Sequence, residues 1–261
     1  MSGVALITGG SRGVGRACAV ALARDGYDIA IGYAVSDQPA RDAVTEIEAL
    51  GRRAIAIKSD LRTEGGVNEL TSRALEALGP ISVVVSNATG YPAGTTREDL
   101  ASGVDRSLGP ALGAPSERYL EMFQARLIAF HGLARAVVPQ MPTGGSIIAI
   151  ISTGTQGYVP GYGPTGVAMA GVQLLARYLA VELGPKQIRV NVVSGGLIRT
   201  DAVSLLTKDI DRFEAAAAAV TPLGRVGEVG DMAEVVSFLA GEGGRWITGQ
   251  TIVADGGAVL V

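Results

Sequence analysis

The chain alternates short, nearly continuous apolar runs with longer stretches in which apolar residues recur at helical spacing. Continuous runs of this kind are typical of strands that are buried on both faces of a sheet. The predicted strands are 4–8, 28–32, 53–58, 81–85, 146–151, 188–193 and 250–254. The predicted helices are 16–24, 38–50, one ending near residue 78, 117–138, 164–183, 201–220 and 230–240.

Strands and helices alternate along the whole sequence. This order predicts an α/β fold in which helices cover both faces of a parallel sheet of about seven strands, a doubly wound arrangement. No linker divides the chain, so residues 1–261 are predicted to form a single domain. Two less regular excursions, about 91–116 and 201–221, are expected near the strand ends as candidate lids over a pocket.

Composition narrows the class of protein. Apolar residues make up 48% of the 261 residues, which is enough for a sizeable core. The formal charge is −3 without any run of Lys or Arg, so neither nucleic acid nor a membrane surface is an expected partner. The single cysteine, Cys18, fits a reducing compartment and is expected to pack as a small apolar residue. Without a recognisable signal peptide or an uninterrupted apolar run of about 18 residues, a soluble cytoplasmic protein is expected.

The first predicted strand runs into a glycine-rich turn that opens the first helix. Glycines in this setting let the backbone approach a pyrophosphate, and the helix N-terminus offers N–H donors and a favourable dipole. A merely tight turn is the alternative, but position and spacing together favour a nucleotide. The candidate cofactor-binding residues of this turn are Gly9, Ser11, Arg12, Gly13, Val14 and Gly15.

The end of the second strand bears on which nucleotide is bound. An acidic residue there would hold the ribose 2′-hydroxyl of NAD. The stretch after the strand contains no acid until Asp37, and Ser36 is a candidate cofactor-binding residue, while Arg12 is available for a 2′-phosphate. The pattern therefore favours NADP(H) as the cofactor, with a merely solvated Arg12 as the alternative interpretation.

Several motifs in combination resemble the short-chain dehydrogenase/reductase family over the whole chain. They are TGGSRGVG at 8–15, SDL at 59–61, SNA at 86–88, Ser152, a tyrosine-headed helix and VADGG at 253–257. Within that family the chain most resembles the type III enoyl-[acyl-carrier-protein] reductases, especially over 177–202. The resemblance implies a Rossmann-type fold, a homotetramer or homodimer, and hydride transfer between NADP(H) and a carbonyl or an activated alkene.

The same resemblance implies further cofactor contacts. Asp60 and Leu61 would flank the adenine, and Asn87 and Ala88 would line the cofactor cleft. The nicotinamide end would be contacted by residues that follow the sixth strand, namely Gly196, Ile198 and Thr200.

The candidate catalytic residues are Ser152 and Tyr162. In most of the family a tyrosine follows the serine by thirteen residues and precedes a lysine by four, which places Thr165 and Met169 at those positions. The enoyl reductases instead place their tyrosine seven residues before the lysine, and Tyr162 fits that spacing. Since a seven-residue step returns to nearly the same helix face, Tyr162 and Met169 are expected to be neighbours. Met169 replaces the family's lysine and carries no charge.

Other positions carry weaker expectations. The resemblance puts Gln124 where the family commonly has an asparagine that supports a proton-relay water. Tyr158, Tyr91 and Met169 are candidate walls of a largely apolar substrate pocket. The only histidine, His131, is expected to be a packed or surface residue, and no set of residues has metal-ligand spacing.

Three functions stay open on the sequence alone. The first is an NADPH-dependent reductase of an apolar, polyketide- or acyl-thioester-like substrate, small or carrier-bound, in which Tyr162 and Ser152 stabilise an enolate without the lysine. The second is a non-redox enzyme on the same fold, a biosynthetic cyclase, dehydratase or isomerase. The third is a catalytically inactive partner that binds the cofactor.

Overall fold

A parallel sheet forms the centre of the protein. The computed structural model describes residues 3–88, 109–200, 203 and 209–261. The strands are β1 (Gly3–Thr8), β2 (Tyr27–Tyr33), β3 (Ala54–Lys58), β4 (Ile81–Ser86), β5 (Ser146–Ser152), β6 (Arg189–Gly195) and β7 (Thr251–Ala254). They lie in the order β3-β2-β1-β4-β5-β6-β7, and every neighbouring pair is parallel. The predicted seven-stranded parallel sheet is therefore confirmed.

Helices cover both faces of this sheet. They are α1 (Gly13–Arg24), α2 (Asp37–Ala49), α3 (Glu64–Leu78), α4 (Ser116–Met122), α5 (Ala129–Val137), α6 (Gly163–Leu183), α7 (Ile210–Val220) and α8 (Val229–Ala240). One buried cluster joins the sheet to α3, α5 and α6, and a second joins its other face to α1, α2 and α8. The doubly wound α/β prediction is thus confirmed.

Local side-chain and glycine signals account for several helix ends. The hydroxyl of Thr63 accepts the Gly66 N–H at the start of α3, and Gly79 ends that helix at φ 100. At the start of α8, Glu228 and Asp231 form a capping box. Such caps satisfy N–H groups that have no partner within the helix, so they fix where each helix begins.

The prediction of one regular helix over 117–138 is wrong. A π-helical turn, Phe123–Ile128, separates α4 from α5. A π turn inserts one extra residue, which the repeat of apolar positions does not register. The turn packs tightly on α6: a Cβ added to Gly171 would lie 3.1 Å from Cδ2 of Leu127. Packing between these helices, rather than local propensity, fixes the irregularity.

Helix α6 connects β5 to β6. Together with the 3₁₀ turn that follows, it forms a segment, Gly163–Lys186, that is long and apolar enough to span a membrane by length and composition alone. This corrects the expectation that no stretch of the chain is long enough. In the structure Met169, Val172 and Ala176 are buried in the cluster beside the sheet, so one face of this helix packs in the core.

The carboxyl ends of the parallel strands meet at one edge of the sheet, where ligands bind in folds of this class. Thr8, Ser86, Ser152 and Gly195 end β1, β4, β5 and β6 at this edge. The described parts of the two excursions, 109–116 and 209–221, make hydrogen bonds to neighbouring loops. Most of the predicted lid residues, including Tyr91, lie outside the described residues.

Candidate active site

The glycine-rich turn after β1 forms an open cradle. Gly9 and Gly13 have φ of 65° and 55°, a conformation that side chains with a Cβ rarely adopt. A Cβ on Gly15 would lie 2.2 Å from the Gly9 carbonyl oxygen, so only glycine permits this close approach. Arg12 precedes α1 without a side-chain cap, which leaves the first N–H groups of the helix open to a ligand. The cradle fits a pyrophosphate.

The ends of β1 and β4 are tied together behind that cradle. The hydroxyl of Thr8 accepts the N–H groups of Asn87 and Ala88 at 2.9 and 3.0 Å. The Asn87 amide donates to the carbonyls of Thr8 and Gly9 at 3.1 and 3.3 Å. Sequence reasoning placed Asn87 and Ala88 in the cleft but missed Thr8, although a polar residue that ends a buried strand beside a glycine turn was a usable signal.

The loop after β3 is rigidified by an internal ion pair. Both carboxylate oxygens of Asp60 accept from the Arg62 guanidinium, at 2.8 and 2.5 Å, and the Arg62 N–H adds a third bond at 3.0 Å. The Arg62 guanidinium lowers the pKa of the Asp60 carboxyl below its ordinary value. Leu61 is half-buried between them. The adenine contacts predicted for Asp60 and Leu61 therefore fall on a fixed loop.

Gln124 contacts this same loop. It lies in the π-helical turn, and its amide Nε2 donates to the carbonyl oxygen of Arg62 at 2.8 Å. This bond uses one of the two N–H groups of the Gln124 amide and leaves its second N–H and its carbonyl oxygen for other partners.

Ser152 and Tyr162 come together as predicted. The Ser152 hydroxyl donates to the Tyr162 phenolic oxygen at 2.8 Å, and both side chains are half-buried. Ser152 ends β5, and Tyr162 is the N-cap of α6, which begins at Gly163 rather than at the predicted Pro164. The pair thus lies at the carboxyl edge of the sheet, held by one strand end and one helix start.

The buried thioether of Met169 contacts both residues of this pair. Its sulfur lies 3.4 Å from the Ser152 hydroxyl, 3.4 Å from the Ser152 N–H and 3.7 Å from the Tyr162 hydroxyl. Sulfur is a weak acceptor without charge. Among the described residues, no lysine, arginine or histidine donates to either hydroxyl. The predicted proximity of Tyr162 and Met169 is confirmed.

Exposure separates the remaining candidates. Met169 is 3% exposed. It therefore contacts the two hydroxyls from the protein interior and does not line an open substrate pocket. Thr165, which stands at the position of the tyrosine in most of the family, is 2% exposed. Tyr162 is half-buried, so of these two hydroxyl-bearing residues Tyr162 is the one that reaches the surface. Tyr158 is 88% exposed and is not brought against Ser152 or Tyr162. Tyr91 lies outside the described residues.

Close backbone packing positions the Tyr162 ring. A Cβ on Gly154 would lie 2.5 and 2.7 Å from Cδ1 and Cε1 of Tyr162, so the ring rests on the Gly154 backbone. On the other side, the Gly163 N–H donates to the Gly109 carbonyl at 3.1 Å. The start of the described excursion at residue 109 therefore fixes the loop that carries Tyr162.

The loop after β6 approaches the glycine cradle. The nearest atom to a Cβ added at Gly13 would be Thr200 Cγ2, at 3.6 Å. Gly196 donates its N–H to the Ala254 carbonyl at 3.1 Å, and Ile198 pairs with Gly227. The next residue, Arg199, forms a two-pronged ion pair with Glu214 of α7. Thr200, predicted to contact the nicotinamide, thus lies beside Gly13 of the glycine turn.

The remaining predictions concern residues outside this cleft. Cys18 is fully buried on α1, as predicted, and burial raises the pKa of its thiol to about 12. His131 is exposed on α5, one of the two predicted environments. Within the described ranges, no group of His, Cys, Asp and Glu could hold a metal ion.

Four similarities to known proteins extend over nearly the whole chain. A model of the enoyl-(acyl carrier protein) reductase family matches residues 9–259. The L-rhamnose 1-dehydrogenase (NAD(P)(+)) of Sphingomonas sp. is 36% identical over 258 residues, which cover 97% of this chain and 94% of that one. The 1-cyclohexenylcarbonyl-CoA reductase of Streptomyces collinus is 34% identical over 268 residues, with coverages of 99% and 87%. A blue fluorescent protein from a metagenomic library, solved in complex with NADPH, superposes with a TM-score of 0.83 at 33% identity and covers 98% and 97%.

Proposed function

The chain belongs to the short-chain dehydrogenase/reductase family, and from this premise we propose that it is an NADPH-dependent reductase of an apolar enone, enoyl or keto substrate. The observation that carries the proposal is the hydrogen-bonded pair Ser152–Tyr162 at the carboxyl edge of the sheet. The glycine cradle borders the same edge, so a dinucleotide and a proton donor can meet there. NADPH bound to a structural relative supports the choice of cofactor.

Tyr162 is the proposed proton donor. The nicotinamide of bound NADPH supplies the hydride. Because Ser152 donates to the phenolic oxygen, the phenol's own proton can be directed to the oxygen of a substrate carbonyl or enolate. Water then returns a proton to Tyr162. The Ser152 hydroxyl stabilises the phenolate formed in between.

The missing lysine constrains the substrate class. Met169 offers a neutral sulfur near both hydroxyls, so no charge at that position assists proton transfer. Conjugate reduction of an enone or enoyl thioester needs less acid assistance than reduction of an isolated ketone, because the enolate that forms shares its negative charge between carbon and oxygen and is less basic than an alkoxide. The relative that reduces 1-cyclohexenylcarbonyl-CoA supports a small or carrier-bound acyl thioester.

A non-redox enzyme is the second candidate. The same observation favours it: a phenol and a hydroxyl without the cation can still protonate and orient a reactive chain. Cyclisation, dehydration or isomerisation would then proceed without net use of NADPH. A cofactor-binding partner without catalytic activity is the third.

The test separates these functions in two stages. We expect the protein to bind NADPH with higher affinity than NADH in a fluorescence titration. A protein that binds neither dinucleotide would refute the proposed reductase function. A panel of enoyl thioesters and enones is then incubated with NADPH. Loss of NADPH absorbance matched to reduced product supports the reductase, whereas product without NADPH loss supports the second candidate.

Tyr162→Phe tests the assigned proton donor. Loss of the phenolic hydroxyl should lower kcat about 100-fold or more while NADPH affinity changes little, since general acid catalysis typically contributes a factor of about 10² to 10⁴. Unchanged turnover would refute the role of Tyr162. Tyr178→Phe, on an exposed position of α6, is the matched control.

We also propose a single-domain, cytoplasmic homo-oligomer, a dimer or tetramer. Helix α6 presents apolar and aromatic side chains away from the sheet: Val167, Leu174, Tyr178 and Val181 are 48%, 52%, 63% and 80% exposed. An apolar stripe of this kind is typical of a helix that packs against a second subunit. Light scattering of the purified protein measures the mass, and a monomer at micromolar concentration would contradict the proposal.

A further inference from the structure

One ion pair lies at the carboxyl ends of β2 and β3, beside the place where the adenosine ribose of a dinucleotide would bind. β2 and β3 run side by side, and their last residues, Tyr33 and Lys58, are paired in the sheet. The Lys58 ammonium lies 3.1 and 3.3 Å from the two carboxylate oxygens of Asp37, in the first turn of α2. Both side chains are about half exposed, at 56% and 49%. The pair therefore faces solvent beside the strand end that sets nucleotide preference.

Asp37 is the first acid after β2, yet its oxygens are already engaged. The Tyr33 phenol lies close enough to this carboxylate to affect its pKa. Lys58 first, and the Tyr33 phenol second, lower the pKa of the Asp37 carboxyl below its ordinary value. In the free protein the ion pair with Lys58 thus uses part of the capacity of this carboxylate, which has about four acceptor sites.

The ion pair holds Lys58 only weakly. An exposed ion pair of this kind stabilises a protein by about 0–1 kcal/mol. A phosphate group near neutral pH carries up to two charges and several acceptor oxygens, so it competes well for an ammonium on a flexible stem. The neighbouring Arg41 is engaged by its own helix, where its Nη2 donates to Gln38 at 2.6 Å.

Ser36 adds a neutral donor at the same place. It precedes α2, but its hydroxyl makes no cap bond to that helix. Arg12, exposed before α1, lies on the next strand–helix turn of the sheet. The corner therefore combines Ser36 with the cations Lys58 and Arg12, while its one acid is occupied.

We propose that Lys58 is a specificity-determining residue that binds the 2′-phosphate of NADP(H), and that Asp37 holds it in place until the phosphate arrives. This inference rests on the proposed function, because it requires the chain to bind a nicotinamide dinucleotide. It adds a residue of β3 to the contacts expected from the glycine turn and the end of β2.

The test compares ligands with and without the 2′-phosphate. Dissociation constants for NADPH, NADH, 2′,5′-ADP and 5′-AMP are measured by calorimetry for the wild-type chain, Lys58→Met and Lys186→Met. Lys186 is an exposed lysine at the amino edge of the sheet, far from the site. Losing one charge-assisted contact should weaken binding of NADPH and 2′,5′-ADP about tenfold in Lys58→Met. NADH and 5′-AMP should change less than twofold, and Lys186→Met should resemble wild type.

Asp37→Asn supplies the opposite change. It removes the carboxylate that competes for Lys58, so binding of 2′,5′-ADP should tighten about two- to fivefold at low salt. An equal loss of NADPH and NADH affinity in Lys58→Met, or no loss of either, would overturn the inference and leave the proposed function standing. A wild-type chain that binds neither dinucleotide would instead refute the proposed function itself.

Discussion

At the scale of single residues, the site depends on three atoms within hydrogen-bonding range: the Ser152 hydroxyl, the Tyr162 hydroxyl and the Met169 sulfur. The sulfur stabilises the orientation of both hydroxyls but provides no positive charge. A lysine there would favour the phenolate, because an opposite charge within about 4–6 Å stabilises the ionised form. Charge at residue 169 is thus the variable that should set the rate of proton transfer.

Met169→Lys tests this point directly. If the missing cation limits the rate, kcat for enoyl reduction should rise about tenfold, which corresponds to about 1.4 kcal/mol of barrier. The melting temperature should fall, because residue 169 is 3% exposed and a buried ammonium is costly. Met169→Leu, which keeps the volume and lacks the sulfur, is the control. A variant that still binds NADPH but gains no activity would show that charge at this position is not limiting.

Gly154 controls the Tyr162 ring in a different way. In Gly154→Ala the added methyl would lie 2.5 Å from Cδ1 of Tyr162, so the ring must tilt away from Ser152. A shift of about 1 Å in a catalytic group costs up to about 100-fold in rate, so we expect kcat to fall at least tenfold. Gly157→Ala, with no atom within 4 Å of the added Cβ, is the matched control. Equal kinetics in the two variants would contradict this role of Gly154.

At the scale of elements, the π-helical turn between α4 and α5 links α6 to the loop after β3, which is proposed to contact the adenine. On one side Gln124 bonds to the loop after β3, and on the other Leu127 packs against Gly171 of α6. π turns often occur at functional sites because the extra residue redirects side chains. The turn therefore positions the Asp60–Arg62 loop relative to the helix that carries Tyr162 and Met169.

Gln124→Met tests this link. Methionine keeps the length of the side chain but cannot donate to the Arg62 carbonyl, a loss of about 1 kcal/mol. NADPH affinity should fall about fivefold, whereas kcat at saturating cofactor should change less than twofold. A plain packing defect would instead lower both. The control is Gln187→Met, an exposed glutamine whose amide also bonds to a backbone carbonyl. Equal effects in both variants would refute the positioning role.

Sequence patterns predicted some elements better than others, for physical reasons. Strands such as β4 and β5 are continuous apolar runs because both faces of a parallel sheet are buried, so their positions could be predicted within two residues. The resemblance to the enoyl reductases pointed to Tyr162, and helix geometry then predicted that it lies beside Met169. The π turn and the Gln124–Arg62 bond depend on contacts between distant segments, which a local pattern does not contain.

At the scale of the whole molecule, an ion-pair cluster at the amino edge of the sheet stabilises the fold away from the site. Asp28 of β2 is 8% exposed. Its carboxylate accepts from Arg52 Nη2 at 2.7 Å, from the Arg53 N–H at 3.1 Å and from Arg53 Nε at 2.7 Å. Burial alone would raise the pKa of this carboxyl, but the Arg53 hydrogen bonds and the two guanidinium charges outweigh burial and lower it.

The depressed pKa of Asp28 predicts how stability varies with pH. A carboxyl whose pKa is lower in the folded chain stabilises the fold above its unfolded pKa, about 3.9, and loses that contribution as pH falls through the folded value. Asp28→Asn should therefore lower the free energy of unfolding by about 2 kcal/mol at neutral pH. The difference from wild type should shrink steadily below about pH 4, because the carboxyl of the unfolded wild-type chain takes up a proton there before that of the folded chain does. Urea denaturation over this pH range measures both effects, with the exposed Asp42→Asn as control. A difference that is constant with pH would mean that packing, and not the charge of Asp28, is responsible.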